Sequence, residues 1–237
     1  MTPPCLYQTV HVLDGRALFL REHLTLLERW GRYLFGLHPE LDEGAIAARI
    51  ASLAAPHGCD RSQFVRLTLA TGDGRFEIGH AGVSLYRGYD LRSLTPDAVT
   101  LRYEAPLFDV PTSAREAADA LASGLARRAG ASVAVRCNGE GMVLAADGAP
   151  LFAVRGRSVR TSPAVRSVER DICLKAIHTA GLRVDIAPLR QEELRSCDEV
   201  FYFDHRGVTA LGHCDGVPYM SLIAERIARA AARILSV

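Results

Sequence analysis

The sequence predicts a two-part α/β (α+β) chain: helices on an antiparallel sheet first, then a mixed sheet with helices. Three observations carry this. An Asp14-Gly15 pair splits two runs near the start. Period-two segments follow two amphipathic helices. After a stretch with two prolines, short strands alternate with helices to the end.

Residues 6–20, LYQTVHVLDGRALFL, read as a hairpin about Asp14-Gly15. Residues 21–36 follow as a helix, with Leu24, Leu27, Gly31 and Leu34 on one face and Gly36 as its stop. A second helix over 42–55 sets Ile46, Ile50 and Leu53 in step and ends at Pro56 and Gly58. In 62–72, SQFVRLTLATG, Val65, Leu67 and Leu69 alternate with Phe64, Arg66 and Thr68, as in a strand with two unlike faces. Residues 81–88 and 98–104 read as further strands of this first half. The expected first domain is 1–105, the connection 106–112 and the second domain 113–237.

The second half opens with a helix over 113–130, whose apolar face is expected at Ala117, Leu121, Gly124 and Leu125. Short strands follow at 132–139, 141–148, 150–154 and 158–162. Next come a helix with Lys175, a strand over 182–189, a short helix near 191–197, a strand over 199–205 and a turn into 207–219. A helix of about four turns closes the chain.

Composition narrows function. Of 237 residues, 49% are apolar and 23% charged, as in an ordinary globular protein with a proper core. A net charge of +1 gives no reason to expect nucleic acid or an anionic membrane as partner. No apolar run approaches the ~18 residues of a membrane span, and the start lacks the charged and apolar regions of a signal peptide. None of the six cysteines makes a C-x-x-C pair, so free thiols in a reducing, cytoplasmic setting are expected, with no metal site. Lys175 is the only lysine among 28 basic residues. It falls on the polar side of its helix, four residues after Asp171, as a solvated surface lysine would. A catalytic lysine needs a desolvated pocket or a neighbouring positive charge, and this pattern offers neither.

The order of elements resembles a known family. Tyr7-Gln8-Thr9, the hairpin and Glu22-His23 are similar to the opening of class IV aminotransferases, the fold-type-IV pyridoxal-phosphate proteins. These include branched-chain and D-amino-acid aminotransferases and aminodeoxychorismate lyases. Residues 64–74 resemble the family's arginine-bearing strand, 151–203 its second half, and 207–219 its Val-Thr-Pro-Val…Asp-Gly segment. The resemblance implies a two-domain fold whose C-terminal domain is a mixed-sheet pseudo-barrel with helices, and a homodimer with shared sites.

Departures stand beside the matches. Pro111 or Thr112 occupies the place of the family's Schiff-base lysine, and Leu26 that of its phosphate arginine. Ala145 stands for the glutamate that pairs with the pyridine nitrogen, and Pro150 falls near the asparagine. The phosphate cup, usually Gly-Ile-Thr-Arg, reads Ser167-Val168-Glu169-Arg170, and a carboxylate there would repel a phosphate at the helix start. On these grounds no cofactor is expected, and no residue is assigned to cofactor binding.

For the remaining chemistry the richest stretch is FDHRGVTALGHCDG. Asp204, His205 and Thr209 are its candidate catalytic groups, since a carboxylate and an imidazole together can form an oriented base. Neighbours in a strand point to opposite faces, so the plainer reading is a solvated hairpin turn. Arg66, Arg102, Arg206, Arg170 and Ser167 are the candidate binders of a small anionic metabolite. Arg155, Arg157, Arg160, Arg166 and Arg170 also suit a charged hairpin edge. A metal site from His205, His213 and Cys214 matches no strong ligand spacing.

Three readings remain. The chain is a cofactor-independent relative that binds or converts a keto acid or chorismate-like acid; or a pyridoxal-phosphate transaminase or lyase with an unusual site; or a non-catalytic partner subunit. Whether it is an enzyme stays open at this point.

Overall fold

The computed structural model describes residues 4–57 and 62–235. They form two compact units: one up to Gly88 together with Val110–Ala114, the other Tyr89–Asp109 together with the chain from Arg115.

In the first unit, β1 (Cys5–Leu13) turns at Asp14-Gly15 into β2 (Arg16–Ala17). Both turn residues have positive φ, at 51° and 77°, as a two-residue hairpin loop requires. Helix α1 (Leu20–Phe35) ends with Gly36 in the left-handed region and buries Leu24, Leu27 and Gly31, as the sequence predicts. Helix α2 (Glu43–Ala54) starts at Asp42, whose side chain accepts the Ala45 N–H, and buries Ile46 and Ile50. Its expected stop at Gly58, like Cys59, lies outside the described residues.

Strands β3 (Ser62–Ala70) and β4 (Phe76–Ser84) complete a sheet in the order β2-β1-β3-β4. Strand β4 begins five residues before the expected 81–88. The polar run Glu77 to His80 hides it from a period-two search, because little of this strand is buried. Val10, Val12, Val65, Leu67 and Leu69 pack against the two helices in one core. His23 on α1 is buried and bonded to Gln8 on β1 at 2.9 Å, a packing role.

The second unit holds β5 (Asp97–Arg102), α3 (Ser113–Arg128) from Arg115 onward, β6 (Val133–Cys137), β7 (Val143–Ala146), β8 (Leu151–Arg155) and β9 (Ser158–Thr161). Then come α4 (Val168–Thr179), β10 (Arg183–Ile186), β11 (Glu199–Asp204), β12 (Gly207–Ala210), β13 (His213–Cys214), β14 (Val217–Pro218) and α5 (Leu222–Leu235). Two five-stranded sheets run β10-β9-β8-β11-β12 and β14-β13-β5-β6-β7. Val133, Val135, Val143, Leu151, Val200 and Leu211 bury one core between them.

Two readings are corrected here. Strand β5, expected beside the first-half strands, pairs in parallel with β6 and β13 instead. Its alternation fits either sheet, so the sequence pattern cannot choose. The inner face of α3 is Arg115, Ala118, Ala122 and Ala126, while Leu121 and Leu125 are 63% and 46% exposed. Alanines let the helix approach closely; a pattern that ranks residues by hydrophobicity picks the opposite side.

Candidate functional site in the second unit

Four carboxyls and three guanidiniums gather on α3, β6, the β7–β8 turn, α4 and β11. Close approach by the alanine face of α3 brings Arg115 and Asp119, one turn apart, inside. Arg115 donates from Nη2 to the Gly148 carbonyl, and its Nε lies 3.6 Å from Asp119 Oδ2. Asp119 Oδ1 also lies 2.8 Å from Arg136 Nη2, as an ion pair. Arg136 is the one charge in an otherwise small, apolar strand, and it is only 1% exposed. Burial raises the Asp119 pKa, with Arg136 and Arg115 opposing.

Asp147, with positive φ, stands on the turn after β7. Burial raises its pKa too, against the pull of Arg206. Asp204 ends β11 and accepts the Arg206 backbone N–H at 2.8 Å and its Nε at 2.7 Å, with Nη2 on the same carboxylate. Burial pushes Asp204 up, but Arg206 and then His205 outweigh it and hold its pKa below the usual carboxylate range. Arg206 is held well above its usual range: burial acts against it, and the Asp204 pairing wins.

Glu169 sits in the first turn of α4, buried. Burial pushes its pKa up to about 7, with nearby Asp204 adding; its own N–H, Ser167 and Arg115 oppose. Ser167 caps the helix by accepting the Arg170 N–H at 3.1 Å. Arg170 is 8% exposed, and its Nε and Nη2 have no hydrogen-bond partner among the described residues. Burial lowers its pKa; Asp171 opposes and Arg166 adds.

The expected site residues therefore divide. Asp204 and Arg206 meet each other in the cluster, and Ser167 and Arg170 meet at the α4 terminus. His205 follows Asp204, but that carboxylate is ion-paired with Arg206. Burial lowers the His205 pKa and favours neutral imidazole. Thr209 is buried on β12 and accepts Arg92 Nη1 at 3.3 Å. Arg102 is exposed at the end of β5, and Arg66, in the first unit, stacks over Tyr7 at 4.0 Å. His213 is bonded to Asp97 at 2.8 Å while Cys214 is buried. No group of three or more His, Cys, Asp or Glu side chains suited to a metal occurs among the described residues.

Arg115, Asp119, Arg136 and Asp147 were not legible as site residues. Two signals exist in retrospect: an Arg/Asp pair at i, i+4 on the alanine side of α3, and a lone arginine inside a buried strand.

Residues 5–203 match the family model for amino-transferase class IV. A branched-chain aminotransferase from Thermoproteus uzoniensis, with norvaline, superposes with a TM-score of 0.83 at 18% identity, covering 98% of this chain and 85% of that one. An aminotransferase from Brucella abortus bound to the co-factor PLP gives 0.83 at 18%, covering 98% and 88%. A putative 4-amino-4-deoxychorismate lyase from Legionella pneumophila gives 0.82 at 14%, covering 97% and 90%. No curated protein sequence matches the chain. These likenesses show the mixed α/β fold that the sequence predicts.

The expectation of no cofactor is overturned. The family whose model the chain matches uses pyridoxal phosphate, and the Brucella abortus protein is solved with it. Mismatched motif positions are not positive evidence of its loss. Three positions, Pro111, Thr112 and Lys175, bear on something narrower, the mode of attachment. The only lysine, Lys175, is exposed on α4, and Pro111 and Thr112 offer no amine, so they do not fit a Schiff base at the family's usual place.

Proposed function

The chain belongs to the class IV aminotransferase family, and from that premise we propose that its second unit binds a small anionic metabolite, a keto acid or a chorismate-like acid, at the start of α4. One observation carries this reading: Arg170 keeps a guanidinium nine-tenths buried with two nitrogens that have no hydrogen-bond partner among the described residues. A buried donor left unpaired costs on the order of 1–3 kcal/mol, more when charged. Such a cost persists where a ligand repays it. Ser167 and the first-turn N–H groups add donors, and the helix dipole adds attraction for an anion. In this reading Arg170 and Ser167 hold the acid, and Asp204 with Arg206 and Thr209 form a polar wall. His205, whose pKa burial lowers, is one group able to accept a proton from the bound acid. Arg66 and Arg102 are assigned no role at this terminus.

The test is a thermal-shift titration with pyruvate, 2-oxoglutarate and chorismate. Stabilisation that saturates in wild type and vanishes in Arg170→Met supports the assignment. Equal shifts in both proteins refute it.

A second reading is favoured by the family match: a pyridoxal-phosphate aminotransferase or lyase with an atypical site, assembled as a homodimer. Visible absorbance after incubation with the cofactor, and a borohydride-stable adduct located on Lys175, would establish a covalent form. Light scattering gives the oligomeric state. Binding without an adduct would match the placement of that lysine.

A further inference from the structure

We propose that an anion binding at Ser167–Arg170 arrives together with a proton, and that the Glu169 carboxyl takes up that proton. The inference rests on the reading of the α4 terminus as an anion site, and it identifies the residue that regulates it.

The geometry is as follows. Glu169 lies between Ser167 and Arg170 in the same first turn, and its carboxyl is buried. First-turn N–H groups have no partners within the helix. An ionised Glu169 therefore competes with any incoming anion for the same donors and the same dipole. Asp204 on β11 and Arg115 on α3 face it; Arg166, Arg170 and Asp171 flank it along the chain.

Pairing selects Glu169 from the cluster, in which Arg115, Arg136 and Arg206 stand among Asp119, Asp147, Glu169 and Asp204, with Arg170 next to Glu169 in the same turn. Asp119 lies against Arg136 and Arg115, and Asp204 is gripped by Arg206. Arg206 is also the strongest favourable influence on Asp147. Glu169 has the like-charged Asp204 as its strongest charged neighbour, ahead of Arg115. It is thus the carboxyl that gains most from a proton, and burial shifts its titration into the neutral range. A second negative charge placed beside it strengthens that preference.

The experiment is isothermal titration calorimetry of the full chain with pyruvate and with sulfate, neither of which titrates near neutrality. Titrations are run at about pH 7.5 in buffers of different ionisation enthalpy. Wild type should take up a substantial fraction of one proton per anion bound. Its affinity should fall by up to about tenfold per pH unit above neutrality. Glu169→Gln should bind at least as tightly, with no proton uptake and a flat pH profile. Anion binding to wild type without proton uptake overturns the inference and leaves the binding reading standing. Uptake that persists in Glu169→Gln also overturns it, by moving the proton elsewhere. No binding in either protein between about pH 5.5 and 8.5 overturns the site reading itself. The wild-type measurement decides even if the variant folds poorly.

Discussion

Replacing Asp119 by Asn removes the negative partner of Arg136 while nearly preserving shape. Arg136 is 1% exposed and meets Asp119 at 2.8 Å, with Arg115 3.6 Å away on the other oxygen. Two charges roughly 4 Å apart interact by about 4 kcal/mol at an effective dielectric constant of about 20. Removing one partner of a buried pair typically costs about 3–5 kcal/mol, because the other charge stays buried. Asp119→Asn should therefore cost about 3 kcal/mol or more. The double variant Asp119→Leu/Arg136→Met, which removes both charges, should recover most of that loss. Urea unfolding followed by far-UV circular dichroism reads the change. Trp30, the only tryptophan, lies in the first unit, so its emission follows the wrong part of the chain. A single-variant cost below about 1 kcal/mol, with an unchanged denaturant slope, would refute the idea that this pair anchors α3 to β6.

Other outcomes follow from the same structure. The Glu169 pKa is raised above its unfolded value, so the folded state binds the extra proton and stability falls as pH rises between about 4.5 and 7. Glu169→Gln should remove a pH-dependent loss of roughly 3 kcal/mol over that range. His205, with its pKa lowered, acts in the opposite sense below about 6.5, so the difference between wild type and variant over pH 5–8 is the quantity to measure. Leu121→Ala should change stability by less than about 0.5 kcal/mol, whereas Ala122→Leu should cost about 1–3 kcal/mol by overpacking, with thermal unfolding as the check. Glu199→Ala should cost about 2 kcal/mol or more, since this buried carboxylate accepts the Ile223 and Ala224 N–H groups and caps α5; hydrogen exchange at those two amides should rise with it. Gly207→Ala should destabilise strongly, since its φ of 109° is strained for alanine and the added Cβ would meet the Asp90 carbonyl oxygen.

Elements with a local cause were legible in the sequence. Asp14-Gly15 forces its turn, Gly36 stops α1, and Ile46 and Ile50 mark the buried face of α2. The order of elements then pointed to the right family. Features set by distant partners were not legible. Strand β5 carries an alternation that suits either half, and only pairing with β6 and β13 places it. The inner face of α3 is chosen by closeness of approach, which favours alanine and hides the leucines' outward position. The ionic cluster joins residues from 115 to 206, and only Asp204, Arg206 and the Ser167–Arg170 segment stood in stretches already marked as polar. The cofactor expectation failed for another reason. It took mismatched positions in a motif as evidence of loss, when only Pro111, Thr112 and the exposed Lys175 speak to attachment, and they speak to its mode alone.

The most direct measurement is a crystal structure of the full chain soaked with a 2-oxo acid. Density for its carboxylate within hydrogen-bond distance of Arg170 Nε or Nη2, beside the Ser167 hydroxyl, is the predicted result. A guanidinium at position 170 satisfied by protein groups alone, with the acid bound elsewhere or not at all, would contradict it.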